Sequence, residues 1–202
     1  MKYIVFDVFS VLLECDYKKA LLPYFSEKTI NNICSTIFFH SDWRKVDSGL
    51  QIEKEAIKSF AKRLDLCTQE IEFILSIVRD SIAPISIGVE LLYWVKEMNF
   101  DVYCLSNMPP KTYEIVNDKY NFFRIFSGTV ISGLVKLAKP DQRIYQYFLK
   151  KFHLNPLEAF FIDDQLENII SAKEVGMEAH QFDMSTQTIA NIKQIINMNK
   201  LF

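Results

Sequence analysis

The amino-acid sequence predicts an α/β protein with a Rossmann-like parallel sheet core and an inserted all-helical cap domain. Three short apolar runs predict buried strands, and polar residues follow each of them directly. Amphipathic helical patterns alternate with these strands, except over residues 15–81, where the pattern is helical throughout. We therefore predict a core domain of residues 1–14 and 82–202 and a cap domain of residues 15–81.

The three predicted strands bring their polar residues to one place. The carboxyl ends of parallel strands meet at the same edge of a sheet, and open α/β sheets bind their ligands there. This edge is therefore the predicted functional site. The predicted strands and the polar residues that follow them are 3–6 with Asp7, 102–105 with Ser106 and Asn107, and 159–162 with Asp163 and Asp164.

Helical patterns connect these strands. Apolar residues recur at helical spacing before the second strand and on both sides of the third, and such alternation implies right-handed crossovers. Gly176 is predicted to end the helix after the third strand, a late strand to end at His180, and one last helix to pack near the C-terminus. The apolar positions are Ile87, Leu91, Leu92, Val95 and Met98, then Ile144, Phe148, Leu149 and Phe152, then Leu166, Ile169 and Ile170, then Ile189, Ile192 and Ile196.

Four amphipathic segments fill the predicted cap, which is enough for a small helical bundle. Two interpretations stay open at this point. The bundle covers the carboxyl ends of the strands as a cap, or its helices complete the layer that packs on the sheet. The apolar positions are Leu21, Leu22 and Phe25, then Ile33, Ile37 and Phe38, then Ile52, Ala56, Ile57, Phe60 and Leu64, then Ile71, Ile74, Leu75 and Val78.

Composition excludes several classes of protein. The formal net charge of −2 and the interspersed charges leave no basic field for nucleic acid. No uncharged apolar run approaches the roughly 18 residues of a membrane span, and the first strand is too short for a signal sequence. The four cysteines are far apart and lack zinc-ligand spacing, which is typical of reduced thiols. We expect a cytoplasmic monomer or homodimer that binds neither nucleic acid nor membrane.

Acidic residues from distant parts of the chain converge at the predicted site. Asp7, Asp163 and Asp164 would repel one another there and would be costly to keep ionised unless a cation lay among them. Carboxylate oxygens are ligands for a hard metal ion, so we predict Mg²⁺ as the cofactor. Lys139, which precedes Pro140, is a further polar element between the second and third strands.

Four segments of the chain resemble motifs I to IV of the haloacid dehalogenase superfamily. They are residues 6–12, 105–107, 139–145 and 161–168, so the resemblance covers nearly the whole chain. A helical cap inserted after motif I is also a pattern of that superfamily. The chain is most similar to the branch that contains bacterial glucose-1-phosphate phosphatases and the N-terminal phosphatase domain of soluble epoxide hydrolase. Within the cap, a segment common in that branch is similar to Trp43, Asp47, Gly49 and Glu53.

The resemblance implies a Mg²⁺-dependent hydrolase of small phosphomonoesters, such as sugar phosphates and in particular sugar 1-phosphates. Asp7 would be the nucleophile that forms an aspartyl-phosphate. Ser106 would donate a hydrogen bond to the phosphoryl oxygens and Lys139 would neutralise their charge, so both count as catalytic. The implied substrate-binding residues are Ser10 through its backbone N–H, Ser106, Asn107 and Lys139, and the implied metal ligands are Asp7, the backbone carbonyl of Phe9, Asp164, and Asp163 directly or through water.

Phe9 departs from the superfamily pattern. Phosphatases of the superfamily usually carry an aspartate there, which protonates the leaving group and then activates water, and losing such catalysis typically costs about 10²–10⁴ in rate. Three hypotheses remain: a phosphatase for esters with good leaving groups, a metal-independent 2-haloacid dehalogenase, and a catalytically weak phosphate-binding or regulatory module. Asp163 and Asp164 weigh against the dehalogenase, which needs no metal. In the cap, His40 is a candidate for the missing proton transfer and Arg44 for binding a second anionic group.

Overall fold

A computed structural model describes residues 1–200 of the chain, and it consists of strands that alternate with helices. The strands are β1 (Tyr3–Phe6), β2 (Leu13–Glu14), β3 (Ala83–Pro84), β4 (Asp101–Ser106), β5 (Gly128–Ile131), β6 (Ala159–Asp163) and β7 (Glu178–Gln181). The α-helices are α1 (Tyr17–Leu21), α2 (Glu27–Thr36), α3 (Ser41–Asp47), α4 (Glu53–Leu64), α5 (Thr68–Asp80), α6 (Ser86–Glu97), α7 (Pro110–Lys119), α8 (Ser132–Val135), α9 (Gln142–Phe152), α10 (Leu166–Glu174) and α11 (Thr186–Lys200).

Five strands form one parallel sheet in the order β5, β4, β1, β6, β7. The predicted α/β class with a Rossmann-like parallel core is confirmed. Strand β1 lies at the centre, and its last residue, Phe6, is opposite Cys104 of β4 and Ile162 of β6. Strands β4 and β6 run on past these partners to Ser106 and Asp163. Because the three strands are parallel, their carboxyl ends, with Asp7, Ser106 and Asp163, lie at one edge of the sheet.

The two outer strands were the harder ones to predict. Strand β5 was not predicted, and it is a four-residue segment that begins with Gly128 and Thr129, neither of which belongs to an apolar run. Strand β7 confirms the late strand, although it ends at Gln181 rather than His180. Gly176, which lies between α10 and β7, has a positive φ of 91°, as predicted for a residue that ends a helix.

Helices cover both faces of the sheet. Ile4 and Phe6 of β1 point into a cluster that includes residues of α6 and α11, while Val5 points into a second cluster with residues of α9 and α10. This alternation is the period of two expected of a strand that is buried on both faces. The central strands are therefore held between two apolar layers.

Helices α1 to α5 pack around an apolar core of their own. Their buried side chains, from Leu21 to Val78, form a cluster separate from the two that flank the sheet. The chain enters and leaves this bundle side by side, since Leu13 pairs with Pro84 and Glu14 with Ala83 between antiparallel strands β2 and β3. These features support the cap interpretation, and the division into residues 15–81 and 1–14 with 82–202 stays a prediction.

The sequence predicts four amphipathic segments in this bundle, whereas the structure has five helices, and the fifth is α3. It begins after His40, whose Nδ1 accepts a hydrogen bond from the Asp42 N–H at 3.1 Å. The helix is short and carries two apolar residues, Trp43 and Val46, so its periodicity is weak.

The four cysteines carry free thiols, as the sequence predicts. Within residues 1–200, no helix combines the length and the apolar character needed to cross a membrane.

Candidate active site

The loop that follows β1 holds Asp7 at the centre of the site. Asp7 is buried, and its Oδ1 accepts a hydrogen bond from the Val8 N–H at 2.7 Å and pairs with Lys139 Nζ at 2.8 Å. Both contacts fall on Oδ1 rather than on Oδ2. The loop then turns sharply: the Val8 carbonyl accepts three N–H groups, including that of Leu13 at 2.9 Å, and Ser10 has a φ of 61°.

Lys139 joins the two ends of the acidic cluster. Its side chain is 1% exposed, and its Nζ lies 2.8 Å from Asp7 Oδ1 and 2.6 Å from Asp163 Oδ2. The amide of Asn107 fixes the Lys139 backbone from both sides, because its Nδ2 donates to the Lys139 carbonyl at 2.8 Å and its Oδ1 accepts from the Lys139 N–H at 2.9 Å. The lysine is thus held in place by Asn107 after β4, Asp7 after β1 and Asp163 at the end of β6.

Strand β6 ends with Asp163, which is fully buried. Asn168 Nδ2 donates to both carboxylate oxygens of Asp163, at 2.9 and 3.0 Å, and the Gln165 N–H donates to Oδ1 at 2.8 Å. Asp164 is half-buried, and its Oδ2 accepts from Gln165 Nε2 at 2.5 Å. Helix α10, which carries Asn168, therefore orients Asp163, while Asp164 is the more exposed of the two acids.

Three carboxylates around one ammonium leave the cluster short of positive charge. Burial raises the pKa of Asp7 to about 7, Lys139 opposes this rise, and the charge of Asp163 adds to it. Burial and then Asp163 also raise the pKa of Asp164. Burial alone would lower the pKa of Lys139, but the two carboxylates outweigh it and raise that pKa. Ligand oxygens of Asp7, Asp163 and Asp164 lie within 4.8 Å of one another, as oxygens around a shared cation do.

Ser106 ends β4 beside Asp7. Ser106 is fully buried, and its Oγ has no hydrogen-bond partner in the part of the chain that the structure describes. Although no contact of Oγ meets hydrogen-bond geometry, the hydroxyl lies near enough to the Asp7 carboxyl to donate weakly towards it, which lowers the pKa of that carboxyl. A buried hydroxyl without a hydrogen-bond partner lowers the stability of the fold unless a ligand supplies that partner. Ser106 is therefore available to donate to an anion at the site.

A cavity of about 210 Å³ lies beside the cluster, between the cap helices and the carboxyl end of the sheet. Phe9 and Asn107, each close in sequence to Asp7 or Ser106, belong to its wall. Tyr17 and Phe38 are stacked at 4.4 Å, and Trp43 meets Phe38 edge-on at 5.7 Å. The wall is mainly apolar, and its polar members are Asp47, Arg79, Asn107 and Thr112, with the thiol of Cys15 and the hydroxyl of Tyr17.

The family of the chain follows from comparison with known proteins. Residues 1–176 match the model of a family of hydrolases described as haloacid dehalogenase-like hydrolase. The chain belongs to this family. It is therefore an enzyme of the hydrolase class, a HAD-like hydrolase, as the four motifs predicted.

Individual relatives show how far the similarity extends. The chain is 25% identical over 161 residues to the sesquiterpene phosphatase astK of Aspergillus oryzae, covering 80% of this chain and 82% of that protein. It is 26% identical over 199 residues to the drimenol cyclase drtB of Aspergillus calidoustus, covering 95% of this chain but only 36% of that longer protein.

Among solved structures, a HAD family enzyme of Bacteroides thetaiotaomicron, crystallised with magnesium and inorganic phosphate, has a TM-score of 0.75. It is 22% identical, and the alignment covers 92% of this chain and 96% of that chain. At this identity the likeness shows the fold.

The HAD-like fold brings together most of the side chains predicted for the site. Asp7, Lys139 and Asp163 are in direct contact, with Asp164 and Ser106 beside them. Their roles as nucleophile, substrate-binding groups and metal ligands stay predictions.

Two other predicted site residues use their polar groups within the protein. The Ser10 N–H, predicted to bind substrate, donates to the Leu13 carbonyl at 2.7 Å, and both ends of the Asn107 amide bind the Lys139 backbone. These contacts favour a positioning role for Asn107 and leave its predicted contact with substrate, like that of Ser10, untested. The Phe9 carbonyl takes no part in the hydrogen bonds that close the loop within residues 1–200, which fall on Val8 and Leu13.

The cap residues were predicted less well. Trp43 lies in the cavity wall, whereas His40 caps α3 and contacts Arg63, and Arg44 is exposed. The charged cap groups that do line the cavity are those of Asp47 and Arg79. Only the weak cap segment that includes Asp47 pointed to the first of these, and no sequence signal pointed to the second.

Proposed function

We propose that this HAD-like hydrolase cleaves phosphomonoesters in a Mg²⁺-dependent reaction through an aspartyl-phosphate on Asp7. The observation that carries the proposal is the convergence of Asp7, Asp163 and Asp164 around the buried ammonium of Lys139. A carboxylate nucleophile beside a cationic clamp is the arrangement that phosphoryl transfer through a covalent intermediate requires. The named phosphatase among the relatives supports the same chemistry.

The donor set fits magnesium. Asp7, Asp163 and Asp164, with the Phe9 carbonyl, are the groups that would hold the ion, and all of them are hard oxygen ligands. With all three acids ionised, one lysine leaves two negative charges unbalanced, and one divalent cation would neutralise them. When bound, Mg²⁺ supplies positive charge that polarises the phosphoryl oxygens.

The chain's own residues account for the remaining steps. Asp7 Oδ2 attacks phosphorus while the bond to the ester oxygen breaks, which leaves an aspartyl-phosphate and an alkoxide that takes up one proton to become the alcohol. Water then attacks phosphorus and gives up one proton, the bond to Asp7 breaks, and phosphate leaves. Lys139 Nζ and Ser106 Oγ, both preorganised and shielded from water, stabilise the charge that develops on the phosphoryl oxygens.

The alcohol part of the substrate is an apolar group in this proposal. The sequence favoured a sugar phosphate, whose hydroxyls need hydrogen-bond partners when they are buried. The larger part of the cavity wall is instead apolar, and it includes Phe9, Phe38 and Trp43. Rings of this kind stabilise an apolar chain by burial. The activity named for the Aspergillus oryzae relative, a sesquiterpene phosphatase, supports an isoprenoid alcohol.

The test of the reaction uses para-nitrophenyl phosphate. We expect Mg²⁺-dependent release of para-nitrophenol that stops with chelator and with Asp7→Asn. The matched control is Asp65→Asn, because Asp65 is exposed, lies in the cap and has a φ of 55°, which asparagine tolerates well. Halide release from 2-chloropropionate without metal would instead support the dehalogenase hypothesis. Mg²⁺-dependent binding of beryllium fluoride without turnover would support the binding module.

The test of the substrate class compares farnesyl monophosphate with glucose 1-phosphate. We expect a higher kcat/KM for the isoprenoid ester, since only its alcohol gains from burial against the aromatic wall. A preference for glucose 1-phosphate would restore the sugar hypothesis. The cytoplasmic location and the monomeric or homodimeric state remain predictions, which fractionation and light scattering would test.

A further inference from the structure

The cavity wall carries a carboxylate that the reaction described so far does not use. Phe9 occupies the position from which an aspartate usually moves protons in this superfamily, so the leaving group lacks a donor on the core side. The titratable groups in the wall of the cavity are those of Cys15, Tyr17, Asp47 and Arg79. Asp47 is the acid among them, and it reaches the cavity from the cap.

The backbone of Asp47 is fixed to the active-site loops. Asp47 is the last residue of α3, and its carbonyl accepts a hydrogen bond from Ser132 Oγ at the start of α8. The same Oγ accepts the Met108 N–H at 3.0 Å, two residues after Ser106. One serine thus joins the cap residue to the loop that carries the phosphate-binding hydroxyl.

A second contact brings the end of α3 close to the start of α8. Gly49, with a φ of 70°, packs so tightly on the backbone of Gly133 that a Cβ there would lie 2.6 Å from the Gly133 carbonyl oxygen. The end of α3 therefore sits directly against the start of α8. These contacts hold Asp47 on the side of the cavity that faces the carboxyl ends of β4 and β5.

The carboxylate of Asp47 is left without a partner. Asp42 on the same helix pairs with Lys45 and Arg63, at 3.0 and 2.8 Å. Within residues 1–200, the side chain of Asp47 makes no hydrogen bond or ion pair, although it is half-buried. A carboxyl held in an apolar wall without a partner is an arrangement that favours proton transfer.

We propose that Asp47 is the general acid and base of this enzyme and replaces, from the cap, the aspartate that is absent at Phe9. This role rests on the proposed phosphatase function. Protonated Asp47 gives its proton to the ester oxygen as the bond between that oxygen and phosphorus breaks and the bond to Asp7 forms. Ionised Asp47 then takes a proton from the water that attacks phosphorus as Asp7 leaves, so the alcohol and phosphate are released and Asp47 is protonated again.

The surroundings of Asp47 suit both halves of that cycle. Burial and then the charge of Glu53 raise the pKa of Asp47 to about 7, so both forms are present near neutral pH. Glu53 is itself paired with Arg79 at 2.6 Å, which also donates to Thr112 at 3.3 Å. The Tyr17 hydroxyl also lies within the electrostatic reach of Asp47, and its pKa is raised by burial, so it stays neutral.

The test compares two substrates in Asp47→Asn, with Asp65→Asn as the matched control. Hexyl phosphate has a poor leaving group, so we expect kcat to fall by about 10²–10⁴ in Asp47→Asn and to stay unchanged in the control. Para-nitrophenol leaves without a proton, so the variant should still release a rapid burst of one equivalent of it and then turn over slowly, because water is no longer activated.

The outcomes separate this inference from the proposed function. Wild-type turnover of hexyl phosphate by Asp47→Asn would overturn the role of Asp47, and so would a variant that loses the para-nitrophenol burst by the same factor as hexyl phosphate, since that pattern indicates misplacement of the site. A burst that survives in Asp7→Asn would overturn the proposed function itself.

Discussion

Replacing Lys139 by methionine removes the one ammonium that touches both Asp7 and Asp163. Methionine keeps the length of the apolar stem, and its sulfur suits the site because Lys139 Nζ lies 5.3 Å from the centre of the Phe161 ring. The variant therefore tests charge rather than packing. We expect a large loss of folding stability in the absence of metal, with a size that depends on pH.

The magnitude follows from the two contacts. At 2.8 and 2.6 Å, each ion pair corresponds to a gross attraction of about 6 kcal/mol at an effective dielectric constant of about 20. Desolvation of the ammonium offsets much of this sum. Removing one partner of a buried ion pair costs about 3–5 kcal/mol, because the remaining charges are left unpaired. Such a loss is a large part of the roughly 5–15 kcal/mol that holds a folded domain together.

The dependence on pH follows from Asp7. Its folded pKa of about 7 lies above its unfolded value, so the carboxyl favours folding when protonated, and its contribution is lost as pH rises towards 7. Without Lys139 the folded pKa of Asp7 rises further. At pH 5 Asp7 is neutral in both proteins, so the variant lacks only the ion pair with Asp163. The carboxylate of Asp163 still accepts its hydrogen bonds from Asn168 and Gln165. The loss should therefore be greatest at pH 8.

Urea unfolding, followed by circular dichroism in EDTA at pH 5 and pH 8, measures both quantities. Lys2→Met is the control, since the pair of Lys2 with Glu158 lies at the surface and its removal should leave stability nearly unchanged. A loss from Lys139→Met below about 1 kcal/mol, the range of surface pairs, would refute the reasoning. So would a loss of equal size at both pH values.

Three further predictions concern the metal and proton transfer. Asn168→Ala removes the donor to both oxygens of Asp163 and should weaken Mg²⁺ binding by about 10–100-fold in calorimetry, and an unchanged affinity would contradict the orienting role of Asn168. Mg²⁺ affinity should rise up to about tenfold per pH unit below pH 7 and level off above it, as Asp7 loses its proton, so a flat profile would argue against Asp7 as a ligand. Phe9→Asp should increase hydrolysis of hexyl phosphate more in the Asp47→Asn background than in the wild type, and no gain on any phosphomonoester would count against the role assigned to position 9.

The core could be predicted from the sequence because each central strand is an unbroken apolar run that ends at a polar residue. Tyr3–Phe6 was predicted with its observed bounds, and the register of β1 with its neighbours then brings Asp7, Ser106 and Asp163 together. Short edge strands such as β5 carry no comparable signal, because Gly128 and Thr129 fit a loop equally well.

The cap side of the site could not be predicted in this way. Side chains such as Asp47 and Arg79 face the cavity because of how the bundle packs on the sheet, and no local pattern records that packing. Asn168 was within reach of sequence reasoning, since it lies on the first turns of the helix after Asp163, but its contact with both oxygens depends on the start of α10. Local rules therefore find the acids, and tertiary packing decides what surrounds them.

The distribution of charge at the site suggests different roles for the core and the cap. The groups that we propose hold the phosphoryl group, Lys139 and Ser106, belong to the core. Arg79 is the one cationic side chain in the described wall of the cavity, and Glu53 already neutralises it. The cap wall therefore adds no net attraction for a phosphate, and in our proposal the cap acts on the organic part of the substrate and on the proton that Asp47 transfers. Changes in the cap wall should accordingly alter which ester is cleaved, while the chemistry at Asp7 stays the same.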